Sequence, residues 1–279
     1  MARLSKNRGF SLTEVLLSVG TLAIGMLFIA GVFPVGIHFA TVATEQTIAA
    51  VVADEAFAKI RIYAVGDLDN SPTNDDYDPS KWPPDVRDSE ALADFNDIDV
   101  FDALKDVKDN IFLYPSEPSI GISQKKYFWS ALCRLTEKYD AADNPNPPVQ
   151  VTVFVCRKIS PHLQYPDPVG SGVINWPRPV PVGVSQTAED NELEINSSAQ
   201  ETFINDGCRI VDDRTGRLYR VLKRYPYPDD STILLDRDWN DEDWDGSPSP
   251  APQRVWVVPP PVNGGRNPCI AIYQKVIRF

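Results

Sequence analysis

Arg8-Gly9-Phe10-Ser11-Leu12-Thr13-Glu14-Val15-Leu16-Leu17 opens an apolar run that continues to Phe33 without a charged residue. About 20 apolar residues in a helix cover the roughly 30 Å of a bilayer's hydrocarbon core, so the run predicts a helix that spans or inserts in a membrane. Ahead of it, Arg3, Lys6 and Arg8 are the only charges before Glu14. Positive residues tend to stay on the cytoplasmic side, which places the bulk of the chain outside the cytoplasm. A secretory signal peptide carries its small-residue cleavage site after the apolar run, whereas here the suggestive Gly9-Phe10 pair precedes it. A carboxylate at the edge of such a run, Glu14, costs about 2.5–3.5 kcal/mol at membrane depth on insertion scales. It needs a partner.

Cleavage between Gly9 and Phe10 supplies one. The new amine on Phe10 has an ordinary pKa of about 8 and is cationic at neutral pH. Phe10 and Glu14 then stand i and i+4 on one helix face, with the carboxylate in the first turn, where the helix dipole favours negative charge. In a packed array the amine of one subunit meets Glu14 of its neighbour, and the cost of the buried acid becomes a register device.

The short basic leader, Gly9, Phe10, the Ser11-Leu12-Thr13-Glu14-Val15-Leu16-Leu17 stretch and the long apolar helix together resemble the type IV prepilin signal. That signal is shared by type IV pilins and the pseudopilins of type II secretion. The continuation Leu22-Ala23-Ile24-Gly25-Met26-Leu27 and Ala30-Gly31 is similar to the minor members. The resemblance covers roughly residues 3 to 45 and rests on a specific motif. It implies that a membrane aspartyl prepilin peptidase cuts after Gly9, that Phe10 is then N-methylated, and that Glu14 neutralises a neighbouring subunit's amine. The partners it implies are that peptidase and methyltransferase, other pilin or pseudopilin subunits, and an assembly platform in the cytoplasmic membrane. One departure is Pro34, which stands a few residues later than the helix-kinking proline usual in pilins. The competing accounts of the stretch are an ordinary signal anchor and a signal peptide cut near Thr41-Val42-Ala43.

Beyond Pro34 and Gly36 the polarity rises while the helical period survives. Ile48, Val52, Ala56, Ile60 and Tyr63 follow one stripe, with Glu45, Asp54, Glu55, Lys59 and Arg61 off it. One helix from about Ser11 to Ala64, stopped at Gly66, is therefore expected, kinked at Pro34. Its first half is apolar all round and its second half has a stripe that must be covered by a globular head. Gly20, Gly25 and Gly31 offer small faces for close helix contact in lipid, or reflect only the abundance of glycine in membrane helices. The expected organisation is a leader at 1–9, a transmembrane and assembly helix at 10–34, its amphipathic continuation at 35–66, and an extracytoplasmic head at 67–279.

Within the head, Asp67 to Pro84 reads as an exposed loop rich in Asp, Asn, Ser and Pro. Ser89 to Asn110 reads as a short acidic helix or two, so that 67–110 forms an acidic segment ahead of a β-rich part at 123–279. Tyr127–Tyr139 and Val149–Ile159 flank a turn-rich stretch and predict a hairpin, with Val149, Val151, Val153 and Val155 on one face. Pro161 to Val184 is proline-rich and reads as a covering loop. Cys208–Val211, Leu218–Lys223 and Thr232–Leu235 predict an antiparallel meander, which Arg254–Val258 and Cys269–Phe279 complete. Strands follow helix without alternation, so the fold class is α+β: a long N-terminal helix packed on an antiparallel β-sheet head.

The chain is acidic, with a net charge of −12, and three of its cations lie in the leader. Such a head repels nucleic-acid phosphates, so no nucleic-acid partner is expected. Cys133, Cys156, Cys208 and Cys269 all follow the apolar run, in a compartment where disulfides persist. They permit three pairings, among which the sequence does not choose, with four buried free thiols as the alternative, and no CxxC spacing suggests a zinc or redox motif. Asp241, Asp243, Asp245 and Gly246 match the first half of a calcium loop, but the twelfth position is Pro252 and lacks the bidentate Glu. Calcium and a solvated acidic turn both fit. Of the two histidines, His38 falls in or beside the apolar helix and His162 in a loop without a nucleophile elbow. No catalytic residues are assigned and no enzyme is expected. Trp239 and Trp244, set among acids, are expected to be exposed.

These readings converge on a structural subunit assembled through its N-terminal helix into a pilus or pseudopilus. A second reading is a membrane-anchored extracytoplasmic binding or hydrolytic domain using a prepilin-like anchor. A third is a free exported protein released near Ala43.

Overall fold

The structure is a computed structural model that describes residues 11–67, 93–94, 112–117, 119–121, 124–136, 148–158, 160, 162–167, 172–239 and 253–278. Among the described residues the one long helix, α1, runs Leu12–Asp67 and passes through Pro34. At 1.5 Å per residue it is about 84 Å long. Its end lies one residue past the expected stop at Gly66. The chain divides into two units inside this helix, between Ile48 and Ala49, and each is described by itself.

In the first unit, α1 is exposed on every side from Leu12 to Thr41. The second unit begins where burial begins. Ala49, Val52, Ala53, Ala56, Phe57 and Ile60 are buried, an i, i+3, i+4, i+7, i+8 stripe that includes the expected Val52, Ala56 and Ile60. Ile48 is half-buried, and the side chain of Tyr63 lies outside the described residues.

The β-rich part of that unit contains two separate antiparallel systems. The first is a sheet of β1 (Ala93–Asp94), β2 (Leu113–Tyr114), β3 (Tyr127–Leu135), β4 (Val149–Arg157) and β13 (Cys269–Ile277). Its order is β1-β3-β4-β13, with β2 also on β3. The expected hairpin is β3–β4, paired from Tyr127↔Arg157 to Leu135↔Val149. Val149, Val151, Val153 and Val155 do share a face, yet Thr152, Phe154 and Cys156 on the other face are buried too. A strand covered on both sides reads as a continuous apolar run, and here both covers can be identified. On the valine side, Lys275 Nζ sits 5.6 Å from the centre of the Phe57 ring, which puts the buried stripe of α1 there. Ser116 Oγ donates to Glu55 Oε1 at 2.6 Å, and Lys59 pairs with Glu55 at 2.6 Å. On the other side, Leu132, Phe154, Cys156 and Ile272 form one apolar cluster with Val211 and Trp256 of the second β system and with Val258 just beyond it.

That second system is a closed barrel in the order β10-β11-β8-β7-β12-β9. Its strands are β7 (Val180–Gln186), β8 (Glu192–Ile195), β9 (Arg209–Asp212), β10 (Leu218–Arg224), β11 (Thr232–Leu235) and β12 (Gln253–Val257). A period of two fills it: Val182, Val184, Leu193, Ile195, Ile210, Tyr219, Val221, Ile233, Leu235, Val255 and Val257 make one buried core. Closure leaves no open edge. In chain order, β4 and β7 are separated by the small pair β5 (Tyr165–Pro166) and β6 (Val173–Ile174).

Several expectations are corrected here. The segment Pro161–Val184 is not only a covering loop, since β5, β6 and the start of β7 fall within it. Pro181 is tolerated because it pairs with Trp256 of β12 while β8 reaches β7 only from Val184 onward, so that part of β7 is flanked on one side. The meander β9–β10–β11 is present, but β12 joins it through β9 and β13 leaves to pair with β4. Ala93–Asp94 is a strand on β3, where a helix was expected; the rest of Ser89–Asn110 lies outside the described residues up to Ile111.

Candidate functional site

The sequence places its chemistry at the start of α1, and there the described residues form a closed local network. Ser11 precedes the helix and Glu14 stands in its first turn. The Glu14 amide donates to Ser11 Oγ at 3.2 Å, and the Ser11 amide donates to Glu14 Oε2 at 3.0 Å. This reciprocal pair is a capping box, which satisfies two amides that no helical carbonyl reaches. The Ser-x-x-Glu signature was visible in the sequence; the reading of Glu14 as an acid awaiting an amine passed over it. Gly9 and Phe10 lie outside the described residues.

Behind the cap, residues 15 to 44 contain no Asp, Glu, Lys or Arg. The hydroxyls in and just beyond this stretch turn back on their own helix. Ser18 Oγ donates to the Glu14 carbonyl at 2.7 Å and Thr21 Oγ1 to that of Ser18 at 3.0 Å. Thr41, Thr44 and Thr47 donate to Ile37, Ala40 and Ala43 at 2.9, 2.8 and 2.9 Å. A helix treated this way shows an apolar medium few unsatisfied groups. Leu16, Leu27, Phe28 and Phe33 are exposed, Leu27 by 77%. An added Cβ at Gly20, Gly25, Gly31 or Gly36 meets nothing within 4 Å. By length and composition this helix can cross a membrane.

The other candidates are dispersed. Asp241, Asp243 and Asp245 lie outside the described residues, as does Trp244. Among the described residues no group of His, Cys, Asp and Glu is arranged to hold a metal ion. His38 is an exposed residue of α1, and His162 is exposed between β4 and β5. Trp239, expected to be exposed, is 6% exposed. It packs against Tyr219 with ring centres 4.9 Å apart and donates Nε1–H to Gln253 Oε1 at 2.8 Å. Its apolar ring closes the barrel core, and its one polar atom is answered, which is how a tryptophan among acids becomes buried.

The acids that are best placed serve the fold. Asp212 accepts the Arg214 and Thr215 amides at 3.2 and 3.0 Å and so shapes the β9–β10 turn. In that turn Gly216 takes a φ of 65°, open to glycine at little cost. Asp213 Oδ1 accepts from Trp256 Nε1 at 2.6 Å, and its Oδ2 meets Arg254 at 3.1 Å. The Gly216 carbonyl accepts from Gln274 Nε2 at 2.7 Å, which ties the barrel turn to β13. All four cysteines are reduced in this structure. Burial pushes the Cys156 thiol well up, and the Cys208 thiol up to about 12.

No protein family, curated protein or solved structure matches this chain.

Proposed function

We propose that the chain is a type IV pilin-like structural subunit, a minor pilin or pseudopilin, cleaved after Gly9, N-methylated at Phe10 and assembled through α1 into an extracytoplasmic fibre. The observation that carries this reading is the first half of α1. It is apolar on all sides, its hydroxyls are satisfied internally, and its lone acid sits in the first turn. A soluble protein does not leave so large an apolar surface uncovered without lipid or a partner for it.

The capping box adds a step to the chemistry. Before assembly the Glu14 carboxylate is held by the Ser11 amide, which lowers the cost of carrying an acid into the membrane. In the fibre it exchanges that neutral donor for the ammonium on Phe10 of a neighbouring copy. Hydrogen bonds to a charged donor are roughly twice as strong as neutral ones. Ser11 Oγ continues to cap the helix through the Glu14 amide, so the exchange does not unwind the first turn.

Sequencing the mature N-terminus tests the reading directly. Methyl-Phe10 is expected; Met1 indicates an uncut anchor and Thr44 a released protein, and either result refutes the proposal. Glu14→Ala should reach the membrane at the wild-type level, yet enter sheared fibres about tenfold less or lower, since a hydrogen bond to a charged group contributes about 1.5–3 kcal/mol. Equal incorporation counts against the exchange.

A further inference from the structure

The barrel is an insertion. β4 ends at Arg157 and β13 begins at Cys269, and every barrel strand lies between them in the chain. Because β4 and β13 are antiparallel neighbours, the exit from the sheet and the return to it lie side by side. Cys156 and Cys269 are the residues at this neck and are direct register partners.

Their pairing has the geometry a disulfide needs. The ladder shifts register between Cys269 and Ala271, leaving Ile270 as the extra residue on one flank, and on the other flank the Arg157 amide donates to the Pro268 carbonyl at 2.8 Å, the pattern beside a non-hydrogen-bonded pair. At such sites Cα atoms stand about 4.5 Å apart and side chains are closest, within the roughly 4.4–6.8 Å range of disulfides. The two side chains also share a face: Phe154 and Cys156 of β4 lie with Ile272 and Cys269 in one cluster, where Cys269 Sγ donates to the Ala271 carbonyl at 3.7 Å and is near enough to Cys156 to help push its thiol up. Cys133 is excluded from either partner. It pairs with Val151, on the face toward α1, whereas Cys156 pairs with Phe128 and faces the barrel. Cys208 is near enough to Cys269 to feel its charge, but it precedes β9 in the barrel and has no register with either strand.

We propose that Cys156 and Cys269 form an intramolecular disulfide that staples the neck of the inserted barrel, leaving Cys133 and Cys208 as thiols. The inference that it forms in the cell rests on the extracytoplasmic placement above. The oxidant is a disulfide, such as that of an oxidoreductase or of oxidised glutathione. Cys269 is half-buried and Cys156 fully buried, so reaction begins at Cys269. Its thiolate attacks one sulfur of the oxidant, forming a mixed disulfide and expelling the other sulfur as a thiolate. Cys156 then loses its proton and attacks the Cys269 sulfur, expelling the remaining thiolate. Two electrons pass to the oxidant and two protons are released in total, taken up by its two thiolates.

The test uses the full chain in detergent micelles, equilibrated with oxidised glutathione, then denatured, alkylated and digested for mass spectrometry. A linked Cys156–Cys269 peptide with Cys133 and Cys208 alkylated is expected, and Cys208→Ser should give the same link. A bond from Cys208 to either residue overturns the proposal, as does alkylation of all four residues under oxidation that pairs the thiols of the denatured chain. Cys269→Ser should abolish the link without creating another. The same analysis on protein taken directly from cells separates the two ideas. If the link forms with glutathione and is absent from the cellular protein, the extracytoplasmic placement is wrong while the pairing stands.

Discussion

At the scale of single residues, the structure assigns polar and ionisable side chains to the fold more often than to chemistry. Cys208 illustrates the energetic side. Burial raises its thiol from an ordinary 9.0 up to about 12, and burial likewise lifts Tyr165 from 10.0 to about 12. Both groups are neutral when protonated and lie in apolar surroundings that disfavour the anion. A raised folded-state value contributes stability that is complete below the unfolded value and is lost as pH rises toward the folded one. The melting temperature should therefore hold up to about pH 9 and fall steadily between pH 9 and 12, a slope that thermal unfolding in a pH series will measure. Cys208→Ala should make the decline shallower, leaving the parts owed to Tyr165 and to the Cys156 thiol. At this scale the sequence exposed Glu14 and its spacing from Phe10, but not its present partner. A carboxylate's partner depends on whether the chain starts its helix at Leu12, which is a question of backbone geometry. Trp239 went unread for the same kind of reason. Its acidic neighbours in sequence say nothing about Tyr219 and Gln253, which reach it from other strands.

At the scale of elements, periodicity carried the reading where one period dominated. The α1 stripe, the β3–β4 hairpin and β9 to β11 were legible because their apolar spacing is regular. Two kinds of element were not. β8 is only Glu192-Leu-Glu-Ile195, too short to show a period. β7 begins Val180-Pro181, and proline argues against a strand until its neighbours are known. The helix stripe was read one row too narrow: Ala49, Ala53 and Phe57 are buried beside Val52, Ala56 and Ile60, since a helix lying on a sheet buries a band wider than a single row. Small side chains there leave no slack. Ala56→Leu should cost about 1–3 kcal/mol through overpacking, read as a shift in the denaturation midpoint. Leucine at the exposed Ala50 should change it by less than about 0.5 kcal/mol.

At the scale of the whole molecule, the sequence suggested a long helix, a short acidic helix or two and one sheet, and the described residues contain the long helix, a sheet, a barrel and the small β5–β6 pair. Topology hid the difference. β12 and β13 follow one another in the chain and look like successive strands of one meander, yet they belong to separate systems. Only the pairing partners, distant in sequence, distinguish them. The division inside α1 at Ile48 gives a further expectation: residues 45–279 alone should be soluble without detergent and unfold near the temperature of the full chain, whereas the full chain should partition into detergent. Loss of cooperative unfolding in the shorter chain would show that the buried stripe of α1 depends on the residues before it.

The neighbouring strand ends at Arg157 and Cys269 also determine how the head bears a mechanical load. Once the barrel opens under load, its two connections draw Arg157 and Cys269 apart at the same end of β4 and β13, so the hydrogen bonds between those strands are peeled in succession and are not strained together in shear. Such an arrangement yields at low force, and a covalent tie at that end would stop the tear before its first bond opens.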